Sequence, residues 1–180
     1  MATTREATGP FAGADVHAEL QNFLARESEL IDNRAFKDWL DLVVEDFTYR
    51  MPVPITPDSP DALHYEPNAL VINETRETLI EHWFARFEPE LWEMAWAENP
   101  PVRYRHFITN VRVRETAEAD VYDVRSNAIV SATRQADQPT LLVVERFDEI
   151  ARYDGAWKLK TRFVVTDATV LDFAQLRVVF

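Results

Sequence analysis

A chain of 180 residues, 47% of them apolar, is long enough for one domain with a sizeable core. Lys and Arg number 19 against 31 Asp and Glu, a formal net charge of −12 at pH 7, which argues against a phosphate backbone or an anionic membrane surface as partner. There is no cysteine, so disulfides, thiol nucleophiles and thiolate metal ligands are excluded together.

In chain order, residues 1–14 (MATTREATGPFAGA) are small and polar, with no apolar signal core, and are expected to form a flexible arm ahead of a single domain over 15–180. No apolar run reaches the roughly 20 residues that span a bilayer, so a cytoplasmic protein is expected. A helix is predicted from Asp15, as its cap, to about Asn33. Val16, Leu20, Phe23, Leu24, Leu30 and Ile31 form its apolar stripe, with Glu27 in the middle. A shorter helix fits Phe36, Trp39, Leu40 and Val43. Alternation of Phe47, Tyr49, Met51 and Val53 predicts a strand.

Prolines and small polar residues predict a loop over 54–68, long enough to have a binding or packing role. The segment 73–87 is predicted helical, with Leu79, Ile80, Trp83, Phe84 and Phe87 on one face. Trp83, Trp92 and Trp96 could cage an aromatic ring, but helical spacing favours packing. From Val102 the pattern becomes long strands: one over Val102–Val113, one over Val121–Thr133, one over Leu141–Tyr153, and a last one carrying Trp157, Leu159, Phe163 and Val165. YDGAW, 153–157, holds an Asp-Gly hairpin signal. Gly9, Gly13 and Gly155 are the only glycines, too few for a P-loop or a dinucleotide fingerprint. Helices first and strands after predict an α+β fold, with long strands curved around a leading helix as a half-open cone.

WAENPPVRYRHFITNVRV, 96–113, invites two readings. One is an acid–base site built on Glu98 and His106. The other, which the two prolines favour, is a shaped lead into a strand. Val102, Tyr104, His106 and Ile108 share one parity and Phe107, Val111 and Val113 the other, so a bulge is expected near Phe107. Arg103 and Arg105 point opposite to His106, and arginines beside aromatics suit a subunit contact. The expected contact set is Trp96, Glu98, Pro100, Pro101, Arg103, Arg105 and His106, together with Phe180 from the apolar end of the chain. Glu27 and Asp167 are candidate proton-transfer groups in the cone, against the plainer expectation that each is paired in the core.

NFLARESELIDNRAFKDWLDLVVEDFTYRMPV (22–53), WAENPPVRYRHFITNVRV (96–113) and YDGAWKLKTRFVVTD (153–167) resemble the small, β subunit of bacterial aromatic-ring-hydroxylating dioxygenases. The resemblance implies a cystatin-like α+β roll, the nuclear transport factor 2-like cone. It implies a structural chain without catalytic residues of its own, beside a catalytic α subunit in an α3β3 assembly. That partner would carry the Rieske [2Fe-2S] cluster and the mononuclear Fe(II), fed by a ferredoxin and reductase, for dihydroxylation of an aromatic compound in bacterial aromatic catabolism. The residues agree with this division. A Rieske centre needs cysteines, and His17, His64, His82 and His106 are scattered. The rival is a stand-alone, cofactor-free dehydratase or isomerase of the same cone, using Glu27, His106 or Asp167.

Overall fold

The structure is a computed structural model and describes residues 7–92, 94–95, 100–170 and 179–180. Helix α1 spans Ala14–Asp32 and buries Leu20, Phe23, Leu24 and Ile31, together with Glu27. Gly13 rather than Asp15 takes the N-cap position, and Asp15 lies in the first turn, where a carboxylate favours the helix dipole. At the other end Arg34, at φ 56°, adopts the left-handed conformation. Its N–H donates to the Ile31 carbonyl and that of Ala35 to the Leu30 carbonyl, a Schellman closure that needs no glycine here. Helix α2 follows at Phe36–Leu40 and buries Trp39.

Six strands form one sheet: β1 Val43–Pro54, β2 Tyr65–Thr75, β3 Val102–Glu115, β4 Val121–Arg134, β5 Thr140–Tyr153 and β6 Ala156–Thr166. Their spatial order is β2-β1-β6-β5-β4-β3. The sheet is mixed, because β1 runs parallel to β6 while every other pair is antiparallel. Helix α1 packs against β3, and its apolar stripe closes a core with Trp39, Phe47, Tyr49, Met51, Val130, Val144 and Ile150.

Strand β2 falls where a loop and then a helix were predicted. It is an edge strand, held by β1 alone, so Pro67 can sit inside it without costing a ladder bond. The helical segment starts later, at Arg76, because Thr75 and Thr78 form a reciprocal capping box. It runs on as a π-helix over Leu79–Phe84 and a 3-10 turn over Ala85–Phe87, and a short helix follows at Pro89–Trp92. Asp154 and Gly155 both have positive φ, 49° and 81°, as a two-residue I′ hairpin requires.

Residues at the start of the chain line the end of β3. Phe11 bridges Arg114, the Ala12 N–H donates to the Val113 carbonyl, and Glu115 N–H donates to the Pro10 carbonyl. Part of the segment expected to be a flexible arm is thus tied to the sheet by backbone bonds; residues 1–6 lie outside the described residues.

Candidate functional site

Two irregularities in the strands decide what faces the cone. On β3, Asn110 (φ 52°) and Val111 stand opposite the single residue Ser126 of β4, a bulge that moves the inward parity from His106 and Ile108 to Val111 and Val113. The bulge expected near Phe107 therefore lies three residues further on, and Phe107 points outward. On β6 the register shifts between the Ile150–Leu159 and Glu149–Thr161 pairs, so Lys160 is extra. Leu159 is inward before it; Arg162, Val164 and Thr166 are inward after it.

That shift places Arg162 at the centre of the cone, where it is 1% exposed. All five of its N–H donors are used. Nε and Nη2 donate to the two oxygens of Asp148 at 2.8 Å each. Nη2 also reaches Glu27 Oε2 at 3.0 Å, and Nη1 binds Glu27 Oε1 and the Phe180 main-chain oxygen, the latter at 2.6 Å. Arg146 Nη2 adds bonds to Glu27 Oε2 (2.8 Å) and Asp148 Oδ2 (3.1 Å), and Trp39 Nε1 donates to Glu27 Oε1 at 3.3 Å. Two carboxylates and two guanidiniums make a neutral, buried cluster. Burial by itself would raise the Glu27 carboxyl, but the Arg162 and Arg146 charges and their hydrogen bonds outweigh it and hold the group at about 2. Glu27 and Asp148 in turn outweigh desolvation and raise Arg162 above its usual value. Burial also pushes the Tyr49 hydroxyl up, and that hydroxyl accepts from the Phe180 N–H at 3.3 Å.

The expected site residues separate. Glu27 sits in the cluster just described. His106 is buried as well: Nδ1 is 2.6 Å from Asp32 Oδ1, and Nε2 lies 3.0 Å from the Val179 carbonyl oxygen. It joins the last described residues to α1 and is not on the surface as a subunit contact requires. Phe180 is likewise fully buried, inside the chain's own cone, because its side chain joins the apolar core and its backbone satisfies Arg162 and Tyr49. Asp167 is exposed just past β6 and outside the cone, since the extra residue at Lys160 reverses the parity that would have turned it inward. Arg103, Arg105 and Pro101 are exposed and Pro100 is half-buried. Trp96 and Glu98 lie outside the described residues. Trp83 packs edge-on to Tyr49 under Arg86, and Trp92 lies by Phe87 and Arg34, so these two rings are packing elements.

Arg146, Asp148 and Arg162 carry the cluster and went unnoticed in the sequence. The signal on β5 was present: Leu142, Val144, Arg146, Asp148 and Ile150 share a parity, so two charges stand on an apolar face. On β6 nothing in the sequence marks Lys160 as extra. Among the described residues no group of three or more His, Asp or Glu is placed to hold an ion, and no cysteine exists to hold an iron–sulfur cluster. No helix among the described residues is long and apolar enough to cross a membrane.

This architecture, N-terminal helices packed on a six-stranded mixed sheet, is that of a nuclear transport factor 2-like cone. Residues 26–172 match the model of the ring hydroxylating beta subunit family, and the chain belongs to that family. Among solved structures, it is similar to naphthalene 1,2-dioxygenase with indole bound in the active site (26% identity, TM-score 0.78, covering 93% of this chain and 86% of that one). It is also similar to the beta subunit of benzoate 1,2-dioxygenase from Burkholderia mallei (27% identity, TM-score 0.59, 83% and 89% covered). ActVI-ORFA from Streptomyces coelicolor, at 17% identity and TM-score 0.59 over 84% of this chain and 98% of that one, shares the fold.

Proposed function

We propose that this chain is the non-catalytic, structural small subunit of a ring-hydroxylating dioxygenase and supplies rigid surface to a catalytic large subunit. The observation that carries this reading is the closed cone. Glu27, the one buried glutamate among the described residues, is held at about 2 and both its oxygens are taken by Arg146, Arg162 and Trp39. Such a carboxylate is too weak a base for proton abstraction near neutral pH. Val179 and Phe180, each at most 2% exposed, fill the space a substrate would need.

The residues of this chain do not fit either iron group of the family, so the Rieske [2Fe-2S] cluster and the mononuclear Fe(II) are assigned to the large subunit. In this reading three large and three small subunits assemble. A reductase and ferredoxin deliver electrons to the complex, which dihydroxylates an aromatic compound in the cytoplasm. The contact with a partner subunit runs along Pro100, Pro101, Arg103 and Arg105, with Trp96 and Glu98 on the preceding segment. Phe180 and His106, being buried, act behind that surface and not in it.

Co-expression with a large subunit of a ring-hydroxylating dioxygenase from the same source tests the proposal. The expected product is one hetero-oligomer whose ring hydroxylation needs the large subunit. A chain that never associates with the large subunit, and whose own turnover is lost in a folded Glu27→Gln variant, would overturn it in favour of a stand-alone dehydratase or isomerase.

A further inference from the structure

Val179 and Phe180 are buried in the cone, yet among the described residues they belong to no helix or strand. A buried backbone must have its polar groups satisfied, and secondary structure ordinarily does this. Here side chains do it. His106 Nε2 donates to the Val179 carbonyl oxygen at 3.0 Å, the Phe180 N–H donates to the Tyr49 hydroxyl at 3.3 Å, and Arg162 Nη1 donates to the Phe180 main-chain oxygen at 2.6 Å. Three successive backbone groups are thus held by three side chains, from β3, β1 and β6 in turn, while the Phe180 ring lies in the apolar core.

A few polar groups converging on an apolar interior is how a protein holds a small molecule. Each of the three anchors is also fixed from behind. Asp32 holds His106 Nδ1 at 2.6 Å, Glu27 and Asp148 hold Arg162, and Trp83 stands edge-on to the Tyr49 ring. The cone therefore positions the anchors independently of the segment they hold. Solvent is close by. A void of about 10 Å³ touches Val179 and is lined by Phe36, Phe84 and Phe87. The same three rings line an open cleft of about 540 Å³ between α2 and the segment 79–87. Phe84 closes the π-helix Leu79–Phe84, a rare helix form that recurs at functional sites.

We propose that the interior of the cone is a binding site for an N-acylated, phenylalanine-like compound, and that the chain's own Val179–Phe180 pair occupies it as a built-in ligand. The chemistry required is set by the anchors in order. An acyl oxygen meets His106, an amide N–H meets the Tyr49 hydroxyl, a second oxygen meets Arg162, and an aromatic ring enters the core. A hydrocarbon of the same size would leave all three anchors unpaired in a buried place. Because the pair is part of the chain, its effective concentration exceeds that of a dilute free compound, and the full-length chain stays closed to it. The inference concerns the interior alone and holds whichever large subunit the chain adjoins.

The probe is N-acetyl-valyl-4-fluorophenylalanine, which carries every required group, and fluorine NMR reads its binding. With a variant lacking Val179 and Phe180, a distinct and saturable bound resonance is expected; with the full-length parent at the same concentration, none. The reversed dipeptide, N-acetyl-4-fluorophenylalanyl-valine, keeps the composition but moves the ring, and should not bind. Adding Tyr49→Phe to the shortened chain removes the acceptor for the amide N–H and should weaken binding about tenfold. If the shortened chain is unfolded alone, the probe should restore a cooperative thermal melt and the reversed dipeptide should not. Full-length Phe180→Gly, which weakens the built-in ligand in an intact chain, should bind the probe where the parent does not. Equal binding of the two dipeptides, an equally strong signal on the parent, or an affinity unmoved by Tyr49→Phe would each overturn the proposal. So would the absence of both binding and rescue in the two variants.

Discussion

Arg162 has no spare donor, and that sets what each neighbour is worth. Removing the charge of Glu27 leaves two buried guanidiniums against Asp148 alone. Breaking a buried pair in this way costs about 3–5 kcal/mol, so Glu27→Gln should melt well below the parent chain. The acid limb should change too. The folded Glu27 carboxyl, at about 2, lies below its ordinary 4.5. Its ionisation therefore adds stability, of order 3 kcal/mol, that is complete above pH 4.5 and lost as pH falls towards 2. Thermal melts across that window should show a steeper acid decline in the parent than in Glu27→Gln; equal slopes would mean that Glu27 is not ion-paired. Phe180→Ala keeps the backbone bonds to Arg162 and Tyr49 but empties the ring's place in the core. A loss of about 3–5 kcal/mol is expected by denaturant titration, whereas a Phe180 that packed on another subunit would leave the isolated chain's stability unchanged.

At the scale of elements, the strands are governed by single extra residues. Gly9 illustrates how closely the start of the chain lies on β3: a Cβ there would sit 1.9 Å from the Glu115 carbonyl oxygen. Gly9→Ala should therefore lift the segment, and hydrogen exchange at the Ala12 and Glu115 amides should quicken while the centre of β4 is unaffected. Unchanged protection would show that the segment is not seated as described. The sequence made α1, α2, β1, β3 to β6 and the Asp154-Gly155 hairpin legible, because their periods of 3.6 and 2 run for whole turns or rows between the extra residues. It hid β2, whose strand character comes from pairing with β1 and not from its own composition, with Pro67 and Asn68 inside it. It placed Glu27 on the apolar stripe correctly. It could not place Arg162 or Asp167, because a one-residue slip at Lys160 reverses every later side chain and only the register with β5 reveals it. His106 and Phe180 were marked as notable residues, yet only tertiary contact shows them bound to the same interior, through the adjacent Val179 and Phe180 backbone.

For the whole molecule, a cone closed by ion pairs and by the chain's own Val179 and Phe180 is a rigid body with its interior already occupied. Under the proposed function, membership of the ring hydroxylating beta subunit family would give that rigidity a use: apolar and arginine-bearing surface on the outside, and chemistry in a neighbour. Association would then stabilise the assembly by mass action without any reacting group in this chain. Metal analysis with a visible absorption spectrum, made on the chain purified alone and on the complex with its large subunit, tests this most directly. The account predicts no stoichiometric iron and no visible band in the isolated chain, with both appearing in the complex. Stoichiometric iron or a Rieske-type spectrum in the isolated chain would contradict it.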